Sequence, residues 1–349
     1  MNHSRKERSL KFTLALSVLL VMTLFLAACG GAGKADNNSG AGTPSAGNSA
    51  TSPTGDPAAP EGSGTDTPNE AQTEKIVTDA MGHEVTIPAD PQRILASYLE
   101  DHLVALGIKP VAQWSIGPES VQDYLQGDLK GIPIISYDLP LEAVASFSPD
   151  LILIGSESQV QKGLYEQYAK IAPTYVIGDE INKDWRKTLL KIGELLGKTE
   201  AAEQALKDYD QKVADTKAKL QQSIGTQSAA ILWLVQKQFY IVDETRSSGA
   251  VLYGDLGMTP PNLVSDITAE QKATWSPVSL EKLAGLNADH IFLVNSDKTT
   301  ETLDSPIWKN LPAVKAGHVY EMPSTSSWLY SGYEAGGQIM DDTLKMLVK

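Results

Sequence analysis

From about residue 73 onward, short apolar runs alternate with longer amphipathic stretches. Runs at 93–97, 110–114, 133–137, 151–155 and 174–178 sit among Gly, Pro and Asp, and predict buried strands. Ahead of them, Ile76–Asp79 and His83–Ile87 flank Met81-Gly82, which predicts a hairpin. Between the first two runs, Asp101–Leu106 reads as a helix closed by Gly107. Trp185, Leu189, Ile192 and Leu196 form one helical apolar stripe. Gly197-Lys198 interrupts it, and Thr199 stands where a cap belongs for a second helix carrying Leu206, Tyr209, Val213 and Leu220. Strand-like runs resume at 229–235, 239–243, 291–294 and 319–322, and a last helix begins near Tyr333. Strands alternating with helices predict an α/β fold with mainly parallel sheets.

One segment occurs twice. LEAVASFSPDLILI (141–154) and LEKLAGLNADHIFL (280–293) align without a gap and share Leu, Glu, Ala, Asp and Ile at matching places. Each copy reads as a short helix, an Asp-containing turn and a buried strand. A unit repeated in each half of the chain predicts two similar lobes and makes Glu142 and Glu281 a symmetric pair. Leu141 and Val144, and likewise Leu280 and Leu283, have i, i+3 spacing and are expected to face the core. The glutamates between them are turned about 100° toward water. By themselves they would complement the helix dipole, worth about 0.3–1 kcal/mol each.

The first 28 residues change the picture of where this body works. Arg5, Lys6, Arg8 and Lys11 precede an apolar stretch from Phe12 to Leu26, the pattern of a secretory signal. Leu26-Ala27-Ala28-Cys29 resembles the lipobox of bacterial lipoproteins, which implies a diacylated Cys29 as the lipid anchor on the extracytoplasmic face of the cell membrane. Cys29 is the chain's one cysteine, so it has no internal disulfide partner. Residues 29–72, rich in Gly, Ser, Ala, Thr and Pro, read as a disordered tether. The formal charge of −14 becomes −17 without residues 1–28, which argues against nucleic acid and against adhesion to anionic lipid headgroups.

Within the body, DAMGHEVTIPADPQRILAS (79–97), ALGIKPVAQW (105–114) and LEAVASFSPDLILIG (141–155) resemble the first lobe of the iron-siderophore substrate-binding proteins of ABC importers. WRKTLLKIGELLGKTEAAE (185–203) resembles their connecting helix. DLGMTPP (255–261), WSPVSLEKLAGLNADHIFLV (275–294) and the segment 328–333 resemble their second lobe. The resemblance implies two similar α/β lobes joined by one long helix: a first lobe at 73–180, the link at 181–198 and a second lobe at 199–349. It implies a non-enzymatic, monomeric protein without a cofactor. Such a protein captures a ferric siderophore and delivers it to a permease dimer with its ATPase, here at a Gram-positive cell surface. It also gives Glu142 and Glu281 a role, as the acidic residues that dock one on each permease subunit.

Ligands of α/β sheets collect beyond the carboxyl ends of strands. That rule, with the need for aromatic walls and a cation, selects Tyr98, Trp114 and Tyr137 on the first lobe, Arg186 on the link, and Arg246, Trp275, Trp328 and Tyr330 on the second. Trp233, inside an apolar run, is expected in the core, and Trp308, after Ser305-Pro306, is expected to pack a loop. Only three arginines lie beyond residue 28, which argues against a highly charged ligand. His83, His102, His290 and His318 show no metal-ligand spacing, so no metal site is expected and iron would arrive wrapped in its chelator. Haem and cobalamin stand as alternative ligands, and a sensory lipoprotein as the alternative role. No Gly-x-Ser-x-Gly elbow or paired-histidine metal motif suggests an enzyme.

Overall fold

The hairpin forms as expected: β1 (Lys75–Thr78) pairs antiparallel with β2 (Glu84–Ile87). Gly82, at φ 87°, turns the chain, and the Asp79 carboxylate accepts the amides of Met81 (2.9 Å) and His83 (2.8 Å). Val85 and Ile87 enter the core, while Glu84 and Thr86 face water. The structure is a computed structural model that describes residues 73–117, 120–267, 275–297 and 300–348. The expected signal segment 1–28, Cys29 and the tether to residue 72 lie outside the described residues.

The first lobe continues through β3 (Ile94–Leu95), helix α1 (Glu100–Ala105), β4 (Gln113–Ser115), β5 (Ile134–Ser136), helix α2 (Leu141–Ser146), β6 (Leu151–Ile154) and β7 (Thr174–Val176). β3, β6 and β7 form a parallel sheet in that order, and β4 and β5 form a separate parallel pair. Along β6, Leu151 and Leu153 enter one apolar cluster and Ile152 and Ile154 another, so the sheet is covered on both faces.

Helix α3 (Trp185–Leu195) packs Leu189, Ile192 and Leu195 into the first lobe, capped by the Asp184 carboxylate. After a tight turn comes the 26-residue helix α4 (Thr199–Ile224). Gly193 permits that turn, because a Cβ there would stand 2.7 Å from the Ala202 methyl. Ala202 and Ala205 of α4 belong to the core of the first lobe, Tyr209 and Leu220 to that of the second. The helix that spans both lobes is therefore α4, about 39 Å long at 1.5 Å per residue. Its sparse buried positions made it less conspicuous in sequence than the dense stripe of α3 in segment 181–198.

In the second lobe, β8 (Ala229–Val235), β9 (Gln238–Val242), β10 (Trp275–Val278), β11 (His290–Asn295) and β12 (Val319–Pro323) form one sheet in the order β10-β9-β8-β11-β12. β8, β11 and β12 run parallel; β9 and β10 are antiparallel additions. β10 was not evident in the sequence because Pro277 interrupts it, a residue tolerated at the sheet edge. Ile231 and Phe292 fill one face, Leu232 and Leu293 the other. Helix α5 (Leu280–Leu283) precedes β11, and α6 (Tyr333–Leu347) closes the lobe. Among the described residues, no helix is long and apolar enough to cross a membrane.

The two repeat copies fold alike, as α2–β6 and α5–β11. Their shared aspartates do the same work. Asp150 accepts the amides of Gln92 (2.8 Å) and Arg93 (2.9 Å) just before β3, and Asp289 accepts the Ser228 amide (2.8 Å) just before β8. Each carboxylate thus pins the start of the strand parallel to its own. Arg93 donates to the Ser148 and Phe147 carbonyls after α2 and so closes that helix. Val144 and Leu283 are fully buried and Glu142 and Glu281 exposed, as the pattern required. Leu280 departs from it: it is 42% exposed, because the single-turn α5 meets the core only through Leu283.

Asp150→Ala and Asp289→Ala are each expected to lower unfolding free energy by about 1–2 kcal/mol in denaturant titrations. Glu142→Ala and Glu281→Ala, which remove exposed groups, should stay within about 0.5 kcal/mol of the parent.

Candidate functional site

A cavity of about 510 Å³ opens between the lobes, within the usual range for small-molecule sites. Tyr98 and His102 of the first lobe, Trp185 and Arg186 at the start of α3, and Arg246 and Tyr330 of the second lobe contribute to its lining. Tyr98 sits in the turn between β3 and α1 at φ 63°, a left-handed conformation unusual for a tyrosine, and the residue is 51% exposed. Trp114 on β4 lies beside it, with ring centroids 4.9 Å apart. Tyr330, in the turn after β12, lies 6.5 Å from Tyr98 and 5.0 Å from Tyr124. Four aromatic rings from two lobes thus form one continuous wall. Burial raises the pKa of the Tyr98 phenol and pushes that of Tyr330 up to about 12, so both are neutral hydrogen-bond donors at physiological pH.

The wall rests on two carboxylates of α1. Asp101, 3% exposed, reaches the opposite lobe: Oδ1 accepts the Glu334 amide (3.1 Å), and Oδ2 accepts the Ala335 amide (3.0 Å) and the Tyr124 hydroxyl (3.0 Å). It therefore caps the first turn of α6 across the interlobe boundary. Only glycine fits at 332, since a Cβ there would collide with this carboxylate. Gln338 of α6 adds a bond to the Tyr124 carbonyl (3.1 Å). Beside it, fully buried Glu100 accepts the Trp114 amide at 2.6 Å and so fixes the aromatic strand. Burial pushes Glu100 up to about 7 and Asp101 up to about 6, and pushes His102 down to about 4, leaving a neutral imidazole.

Arg186 is held by two aspartates and two aromatic rings. Nη1 lies 2.7 Å from Asp210, Nη2 lies 3.5 Å from Asp255, and the guanidinium stacks over Trp185 (4.9 Å) and Tyr209 (4.7 Å). Tyr209 in turn donates to Asp255 at 2.9 Å. Arg246 is exposed, on a loop tied to the Tyr330 loop by the Ser247 amide, which donates to Ser331 Oγ (3.0 Å).

Of the residues the sequence nominated, Tyr98, Arg186, Arg246 and Tyr330 line the cavity, and Trp114 stands against Tyr98. Tyr137 is 58% exposed beyond β5, outside the lining. Trp275 packs edge-on against Trp233 (5.8 Å) at the sheet edge, also away from the cavity. Trp328 does not line the cleft: it is fully buried, stacked on Phe292 (4.7 Å) and donating Nε1–H to Asp342 (2.9 Å). Its neighbour Tyr330 faces outward, a difference that spacing alone did not reveal. Trp308 is a core residue, whereas Trp233 is half-buried and bonded to Ser296. Tyr124, Asp101 and Asp255 were missed, because sequence gives no sign that a carboxylate will be buried by a distant segment. His290, at the start of β11, and His318, just before β12, stack with ring centroids 5.0 Å apart, yet among the described residues no group of three His, Cys, Asp or Glu is arranged to hold a metal.

A model of the periplasmic binding protein family matches residues 134–325. The probable siderophore-binding lipoprotein YfiY of Bacillus subtilis is 30% identical over 287 residues, covering 77% of this chain and 86% of that one. The iron(3+)-hydroxamate-binding protein FhuD of the same organism is 28% identical, covering 78% and 89%. Among solved structures, Staphylococcus aureus SirA complexed with staphyloferrin B matches with a TM-score of 0.65 at 29% identity, covering 78% of this chain and 98% of that one. The two-lobed fold and cleft are those of an extracytoplasmic substrate-binding protein of the ABC importers. The chain belongs to the periplasmic binding protein family.

Glu100 makes the fold pH-dependent. Its folded pKa of about 7 exceeds the ordinary 4.5, so the folded state holds an extra proton between those values and stability falls as pH rises through that window. Thermal or denaturant unfolding of Glu100→Gln should show this loss reduced, the variant gaining on the parent by on the order of 3 kcal/mol between pH 4 and 8.

Proposed function

We propose that the chain captures a ferric siderophore in the interlobe cleft and delivers it to the permease dimer of an ABC importer driven by its ATPase. The observation that carries this reading is the aromatic row of Tyr98, Trp114, Tyr124 and Tyr330, shared between lobes, of which Tyr98 and Tyr330 line a cavity of about 510 Å³. Flat rings with protonated phenols suit a bulky chelate that presents both carbon chains and coordinated oxygens. Tyr98, Tyr330 and Arg246 contact the chelate, Trp114 backs Tyr98, and Arg186 shapes the floor. Iron is cargo here, and its coordination sphere comes from the chelator.

The same reading assigns Glu142 and Glu281 to docking. Both are exposed, both lie in the first turn of a helix in matching copies of the repeat, and each belongs to a different lobe. A symmetric pair of acidic points suits a partner built from two basic subunits. After signal cleavage, diacylated Cys29 tethers the monomeric protein to the outer face of the cell membrane.

Intrinsic tryptophan fluorescence of the purified chain should be quenched by ferric siderophores and not by haem or cobalamin at equal concentration. Tyr98→Ala should weaken that binding roughly tenfold. The double variant Glu142→Lys, Glu281→Lys should bind the chelate as the parent does but fail to support iron uptake; normal uptake by the folded, surface-displayed double variant would refute docking. Cys29→Ser should appear in the medium rather than the membrane fraction.

A further inference from the structure

The charges around the cleft bear on which chelates it accepts. Three cations, Lys183, Arg186 and Arg246, line it together with three carboxylates, Asp101, Asp184 and Asp255. The cations are not equally free. Arg186 is committed to Asp210 and Asp255 and sandwiched against Trp185 and Tyr209. Lys183 lies 2.6 Å from Glu180. Among the described residues, Arg246 is the lining cation without a carboxylate partner. Asp255 and Asp184 are themselves paired, with Arg186 and Lys187, so an anionic guest would meet one uncommitted positive charge on a chain already at −14.

Ferric chelates divide by charge. Three hydroxamates contribute one negative charge each and neutralise Fe(III), whereas three catecholates contribute two each and leave a trianion. Citrate-type carboxylates also leave net negative charge. Resting on the siderophore reading above, we infer that this cleft selects neutral or cationic ferric tris-hydroxamates over catecholate and carboxylate chelates. One guanidinium fork at Arg246 matches the oxygens of a hydroxamate face. The Tyr98 and Tyr330 hydroxyls add neutral donors, and the rings of Tyr98, Trp114 and Tyr330 cover the methylene chains that link the hydroxamates. A trianion would find one free cation on a strongly acidic chain, too little to offset its loss of hydration.

The test is a set of fluorescence titrations of the full chain in detergent with three probes: ferrioxamine B, ferric enterobactin and ferric citrate. Ferrioxamine B should bind at least about 100-fold more tightly than either of the others. Arg246→Gln should weaken ferrioxamine B binding about tenfold. Asp210→Asn, an exposed change that loosens the hold on Arg186, should improve enterobactin binding about threefold or more and leave ferrioxamine B unchanged. Equal or tighter binding of enterobactin or citrate by the parent overturns the charge selection while leaving the siderophore reading intact. Failure of all three chelates to bind overturns the siderophore reading itself, and this inference with it.

Discussion

A single buried carboxylate governs how the two halves of this molecule meet. Asp101, on the first helix of one lobe, accepts two amides from the first turn of the last helix of the other, and a phenol besides. Helix termini carry unsatisfied donors that must find acceptors when buried. Here the acceptor comes from a segment 233 residues away in sequence. The charge is removed from water, so it is tolerable only while all three donors are in place. Gly332 is the complementary concession: the chain gives up a side chain so that the carboxylate can approach.

Much of the site follows from that contact. Tyr124 is oriented by its bond to Asp101, and Tyr330 packs on Tyr124. Tyr98 completes the row from the turn just ahead of α1, with Trp114 held beside it by Glu100. The aromatic wall is thus assembled from turns and short strands braced by buried acids. On the other side of the cleft, Arg186 is held equally firmly by two aspartates and two rings. These contacts, with α4 rooted in both cores, brace the cleft from both sides.

The sequence was most legible where burial is two-sided. Strands such as β6 and β8, covered on both faces, appeared as uninterrupted apolar runs, and the repeat announced two lobes because its helix, turn and strand share one pattern. Legibility failed where one residue's environment depends on a distant segment. Glu100 and Asp101 look like ordinary acidic residues of a helical first turn, yet both are buried. Trp328 and Tyr330 are two positions apart, but one enters the core and the other faces the cleft. Leu280 matched the expected core spacing, but a helix of one turn has too little face to bury it. Arg186 was nominated as a ligand cation; the aspartates that hold it come from α4 and from a segment beyond β9.

The continuous helix α4 has a consequence for traffic at the membrane. A hinge of flexible strands lets a binding protein present very different outlines when empty and when loaded. A helix embedded in both lobes resists such bending, and a partner touching both lobes at once would then meet nearly the same footprint in either state. Empty molecules would then compete with loaded ones for the same landing place. Throughput would depend on the ratio of filled to unfilled copies at the surface, and an excess of protein over cargo would slow delivery rather than speed it.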